Sequence, residues 1–152
     1  MTTTNALRVR PLAASDREQW AALWTAYLEF YETSVPTGTF DVYFDRLLGD
    51  DPQDFSGLVA ELDGRLVGLT HYLFHRHGWK IENTCYLQDL YAVPAVRGQG
   101  VGKALIEAVY AVADAKNAPS VYWNTQDSNA TARKLYDCVA QLTPFLKYQR
   151  AT

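Results

Sequence analysis

Apolar and polar positions recur along this chain in two rhythms, and the rhythm assigns most of its elements. Trp20, Leu23, Trp24, Tyr27, Leu28 and Tyr31 follow one another at helical spacing and give a single aromatic face. Ahead of them Ser15-Asp16-Arg17-Glu18 fits a capping box, with the Ser15 hydroxyl and Glu18 carboxylate satisfying free helix-end amides. Pro36 and Gly38 interrupt, and residues 40–48 predict a second helix. Val101, Leu105, Ala108, Val109 and Val112 form a third helical stripe reaching Lys116, and residues 129–139 a fourth helix. The strand candidates are residues 7–12, 55–62, 65–74, 84–93, 120–125 and 145–150. Asp63-Gly64 favours a two-residue hairpin turn between the second and third of these. Pro94 ends the fourth, because proline lacks a ladder donor. Helices on an extensive, mostly antiparallel sheet make an α/β or α+β fold, with only residues 84–125 reading as strand–helix–parallel strand.

Composition narrows the classes. A chain of 152 residues without repeat, low-complexity tract or linker predicts one domain, residues 1–152. Its 48% apolar and 20% charged residues are globular rather than disordered. A net charge of −3 gives no general attraction to nucleic acid. The start shows no apolar leader, and the apolar run at 104–115 is broken by Glu107 and Asp114, so no membrane segment is expected. Cys85 and Cys138 are too few for a disulfide scaffold; both read as buried small apolar residues in a reduced, cytoplasmic protein. His71, His75 and His77 with Cys85 invite a metal reading. No carboxylate or second cysteine completes a tight set, so they are expected to be ordinary polar hairpin residues with no metal.

The candidate chemistry lies between Leu87 and Gly102, where a strand runs into a glycine-rich turn that opens a helix. Helix starts carry unpaired amides and partial positive charge, which suit phosphate oxygens. Gly98, Gly100 and Gly102 with Arg97 therefore look like a pyrophosphate cradle. A P-loop is excluded because Gly102-Lys103-Ala104 lacks the hydroxyl that holds magnesium. A dinucleotide fold would place its glycines early, with an acidic residue on the next strand.

Arg97-Gly98-Gln99-Gly100-Val101-Gly102 resembles the Arg/Gln-x-x-Gly-x-Gly/Ala signature of the GNAT acetyltransferases, which bind acetyl-coenzyme A. Val121-Tyr122-Trp123-Asn124-Thr125, then Asn129 and Leu135-Tyr136, are similar to the branch with the yeast histone and polyamine acetyltransferases. The resemblance implies acetyl transfer from acetyl-CoA to a small-molecule or peptide amine, by direct transfer in a ternary complex. It implies that the edge at Leu90, Tyr91 and Ala92 pairs with the pantetheine arm. The amides of Gly98, Gln99, Gly100, Val101, Gly102 and Lys103 then hold the pyrophosphate, and two splayed strands open the cofactor slot. It further implies that Tyr136 protonates the departing sulfur and that Asn129 both caps its helix and touches the cofactor. Related enzymes pair terminal strands between two subunits, which implies a homodimer built on residues 145–150.

The general base stays open. Polyamine acetyltransferases of related type carry a glutamate at the position of Gln88, and an amide cannot take up the proton. Asp89 is next, but strict alternation turns it to the opposite face, and a solvated surface role is an equal reading. Glu82 and ordered water are further candidates. Ala140 replaces a glycine that often closes this helix in relatives, so its exit is expected to be irregular. Glu29, Glu32, Asp41 and Asp45 bias the acceptor side towards an ammonium. The rival class is a module that binds acetyl-CoA without catalysis, as a sensor or scaffold.

Overall fold

Alternation builds one five-stranded sheet whose two faces are both covered. The structure, a computed structural model, describes residues 6–152; the first five residues lie outside the described part. The strands are β1 (Arg8–Pro11), β2 (Ser56–Leu62), β3 (Arg65–His75), β4 (Thr84–Ala92) and β5 (Val121–Tyr122). They lie in sequence order, antiparallel except for the β4–β5 pair, which is parallel. Asp63 and Gly64 both take positive φ, the combination that matches a tight turn to the twist of β2 and β3.

The register sorts side chains onto faces. Val59, Leu69 and Tyr91 line up across three strands and meet α1 (Arg17–Phe30) and α2 (Thr39–Leu48). Trp20, Leu23, Trp24 and Leu28 of the aromatic stripe are buried there with Phe44 and Leu47. Each such side chain contributes roughly 1.5–3 kcal/mol by leaving water. On the other face Leu58, Tyr72 and Leu87 meet Ile106 and Val109 of α3 (Val101–Ala115), with α4 (Ala130–Val139) packed behind.

Several expectations need correction. The cap of α1 belongs to Asp16, because Ser15 lies inside a short 3₁₀ turn, Ala14–Asp16, and is exposed with Glu18. The Ala13 N–H donates to Asp16 Oδ2 at 2.8 Å, and the Arg10 guanidinium forks onto both carboxylate oxygens at 2.8 and 2.9 Å. That fork holds the buried Asp16 carboxyl below the usual carboxylate range, against the opposing effect of burial. Strand β5 has two residues rather than six. Residues 145–150 form no strand: Phe145, Leu146 and Tyr148 are exposed, since a strand needs a neighbour and none is offered to the segment among the described residues. Cys138 is exposed on the outer side of α4, whereas Cys85 is buried as expected. Helix α4 ends into extended backbone at Ala140, without the left-handed cap a glycine allows.

Candidate active site

Strand β4 is where the two faces and the open edge meet. Strand β5 pairs it only at Cys85 and Tyr86. From Leu87 onward that edge of β4 has no strand beside it among the described residues. Its other edge is fully used by β3, and the Val93 N–H continues that ladder to Val67 O at 2.9 Å. Hydrogen-bonded and non-bonded pairs alternate in an antiparallel ladder. Counting back from Val93, Tyr91 turns its amide and carbonyl to β3, while Leu90 and Ala92 turn theirs to the open edge. Of the three edge residues, Tyr91 thus offers a side chain and its neighbours offer backbone.

Beyond β4 the chain makes a 3₁₀ turn, Pro94–Val96, and enters the glycine segment. Gly98 and Gly100 have φ of 84° and 81°, a region costly for other residues, and Gly100 caps α3. The first amide bonded within α3 is Ala104 to Gly100 O, so the amides of Val101, Gly102 and Lys103 precede the ladder. The Gln99 amide is already engaged by Val96 O. Gly102 has a packing reason as well, because a Cβ there would come within 3.1 Å of Leu135 on α4. Val101 is buried in the core, and Lys103 faces solvent 3.8 Å from Glu107. Arg97 is drawn back over Phe30 and Tyr91, 5.6 and 5.9 Å from the ring centres, with Nε on Ala92 O at 3.3 Å.

On the α1–α2 face a cleft of about 280 Å³ opens beside the strand, lined by Trp24, Tyr43, Arg46, Phe55, Gln88 and Asp89, with Thr39 and Val42. Strict alternation fails at this point because β4 carries a bulge. His71 pairs with Asp89 and Tyr72 with Leu87, which leaves Gln88 as the extra residue. The bulge brings Gln88 and Asp89 to the same cleft, Gln88 exposed and Asp89 3% exposed. A solvated surface role for Asp89 is therefore excluded. Glu82 lies elsewhere, on a separate polar cleft with Asp50, Asp51 and Lys116.

Asp89 Oδ2 accepts from Tyr43 OH at 2.6 Å and meets His71 Nδ1 at 2.8 Å; His71 Nε2 accepts from Trp20 Nε1 at 3.0 Å. His71 is 1% exposed and Trp20 fully buried, so His71 is a core residue of the site and not an ordinary hairpin residue. Burial, then the Asp89 charge, push the hydroxyl pKa values of Tyr27, Tyr31 and Tyr43 upward. His75 and Asn124, by contrast, bond outer tyrosines, Tyr122 and Tyr86. Among the described residues no group of His, Cys, Asp and Glu is placed to hold a metal ion.

Tyr136 on α4 packs on the other face of the sheet, edge-on to Trp123 with ring centres 5.4 Å apart. Burial, and secondarily Tyr31, push its pKa up to about 12, so its hydroxyl keeps its proton at neutral pH. Asn129 caps α4, accepting from Ala132 N–H at 3.3 Å. The residues that the sequence reading did not assign to the site are Tyr43, His71 and Trp20; the available signal was the inward phase of His71 on β3, shared with Leu69.

Comparison with known proteins identifies the family and the fold. Residues 20–138 match the family described as Acetyltransferase (GNAT) family. The chain is 35% identical over 143 residues to D-amino-acid N-acetyltransferase HPA3 of Saccharomyces cerevisiae, covering 93% of this chain and 89% of that protein. Its fold is similar to ribosomal-protein-alanine N-acetyltransferase from Brucella melitensis, with TM-score 0.78, 24% identity and 97% and 100% of the two chains covered. It is likewise similar to aminoglycoside N-acetyltransferase AAC(6')-Iy in complex with CoA, with TM-score 0.83, 18% identity and 99% and 98% coverage.

Proposed function

The chain belongs to the GNAT acetyltransferase family, and we propose that it moves the acetyl group of acetyl-CoA onto the amino group of a small zwitterionic or cationic amine bound against Asp89. The observation that carries this reading is the bulge at Gln88. It sets a buried carboxylate beside the stretch of β4 whose opposite edge is free for an extended ligand. The free edge suits a pantetheine arm, with Leu90 and Ala92 offering donors and acceptors. The amides of Val101, Gly102 and Lys103, at a helix start bounded by Gly98 and Gly100, suit the pyrophosphate. Asn129, at the head of α4, lies on the same side as Tyr136 and is assigned to the cofactor wall.

In this reading the acceptor arrives as an ammonium, whose pKa of about 10.4 demands a base. Asp89 takes one proton from nitrogen, giving a neutral amine and a carboxylic acid. The amine nitrogen bonds to the thioester carbon, with the oxygen polarised by backbone N–H groups of the β4 edge. The carbon–sulfur bond breaks, and Tyr136 gives its proton to the sulfur. The second proton leaving nitrogen returns to Tyr136 through solvent, and Asp89 releases its own to bulk water. The net products are amide, coenzyme A and one proton. Gln88, an amide, orients the acceptor and takes up no proton.

Arg46 and Asp89 on one cleft put opposite charges within reach of a single ligand, which suits a free amino acid. The similarity to a D-amino-acid N-acetyltransferase supports testing amino acids first. We assign the protein to the cytoplasm, where its two free cysteines suit a reducing medium. We also assign it a two-fold dimer, because the apolar tail Leu142, Phe145, Leu146 and Tyr148 is exposed and the outer edge of β5 is open. The test is a panel of D- and L-amino acids, polyamines, lysine peptides and aminoglycosides, incubated with acetyl-CoA while free thiol is followed. Amine-dependent thiol release is expected; release indifferent to every amine overturns the reading.

A further inference from the structure

The Asp89 network has a direction that its donors and acceptors determine. The indole N–H of Trp20 can only donate. His71 Nε2, which faces it at 3.0 Å, must therefore be the unprotonated, accepting nitrogen. A neutral ring then carries its proton on Nδ1 and donates to Asp89 Oδ2 at 2.8 Å. Tyr43 donates to that same oxygen, and the Tyr27 hydroxyl also lies close enough to hydrogen-bond the carboxylate. An imidazolium here would set two N–H groups head to head in a fully buried space, leaving the Trp20 donor without an acceptor.

We propose that Trp20 and His71 are positioning residues: Trp20 holds His71 in its Nδ1–H form, so that the ring donates to Asp89 Oδ2 and aims the carboxylate at the ammonium of the acceptor. This rests on the acceptor reading of the cleft given above. A cationic His71 would cancel the charge that the ammonium must meet. The other ionisable groups around the pair leave this logic intact. Tyr27 and Tyr31 of α1 and Tyr43 of α2 have raised hydroxyl pKa values and stay neutral. Arg17, stacked 5.6 Å from the Trp20 ring centre, and Arg46 on the cleft are permanently charged.

The first measurement needs no activity. Ring ¹⁵N spectra of His71 in the intact protein at about pH 7 should show Nδ1 protonated and Nε2 bare. An Nε2–H form, or a doubly protonated ring, overturns the proposal. The second is kcat/KM for the amine against pH. His71→Asn, whose amide nitrogen takes the place of Nδ1 and can still donate to Asp89, should stay closer to wild type than the apolar variant. His71→Leu should raise KM for the amine by roughly 10–100-fold, the loss of one charge-assisted bond, with kcat less affected. Trp20→Phe, if it folds, removes the donor that holds Nε2 bare and should show a protonated Nε2 in the same spectra. Wild-type amine kinetics in His71→Leu overturn the positioning role. Asp89→Asn separates the two readings. If it turns over normally, the cleft is not the acceptor site; if it is dead while His71→Leu is normal, only the positioning role fails.

Discussion

Gly100→Asp isolates the phosphate role of the α3 head from its role in folding. Gly100 has φ of 81°, and a Cβ built there meets nothing within 4 Å, so the substitution costs backbone strain but no collision. Strain in the left-handed region is about 1–2 kcal/mol. A carboxylate at the N-terminus of α3 offsets about 0.3–1 kcal/mol of it through the helix dipole. The net loss is about 1 kcal/mol, a fall of roughly 2–4 °C in Tm for a domain of this size. Acetyl-CoA at a hundredfold excess over Kd stabilises the wild type by RT ln(1 + [L]/Kd), about 2.7 kcal/mol, or roughly 5–11 °C. In the variant the same carboxylate stands where phosphate must approach, so the ligand-induced shift should vanish. Gly64→Asp is the matched control, with φ of 74° and equal free space at the β2–β3 turn. It should lose similar intrinsic stability and keep the full shift, read by differential scanning fluorimetry with and without acetyl-CoA. A Gly100→Asp protein that still gains the wild-type shift refutes the cradle.

The fold was legible wherever local spacing and burial agree. The aromatic stripe from Trp20 to Leu28, the Asp63-Gly64 hairpin and the Val101–Val112 stripe each satisfy one rhythm and one partner surface. The capping box at Ser15 failed because a long-range partner, the Arg10 fork, recruits Asp16 instead. Residues 145–150 alternate as a strand does, but alternation specifies a face and cannot supply a neighbour. At the site, the glycine turn was readable because positive φ is written in residue type. The Asp89 network was not, because it depends on the bulge at Gln88, and a one-residue bulge reverses the face of everything beyond it. His71, Tyr43 and Trp20 come from β3, α2 and α1, so no sequence window holds them together.

Tyr136→Phe should keep acetyl-CoA affinity by calorimetry and lose turnover by about 10²–10⁴-fold; normal turnover would make Tyr136 a packing residue. Deleting residues 141–152 should convert a dimer of twice the 17.1 kDa chain mass to monomer in light scattering, whereas a full-length monomer refutes the shared tail. Asp16→Asn tests the Arg10 fork by its pH signature. Asp16 is 4% exposed and bonded by both Arg10 nitrogens and the Ala13 amide. Stripping one partner's charge from such a pair costs about 3 kcal/mol, roughly 6–12 °C in Tm at pH 7. The sign follows from the depressed pKa of the folded state. The unfolded carboxyl titrates near 3.9, so the folded chain binds fewer protons and the Asp16 contribution is fully present above about pH 5. It is lost as pH falls through the unfolded value towards the lower folded one. The wild type should therefore lose stability faster than the variant below about pH 4, and urea midpoints of the two proteins should converge there. Parallel acid limbs would mean that Asp16 is no more ionised in the folded chain than in the unfolded one, and the fork would carry no charge pairing.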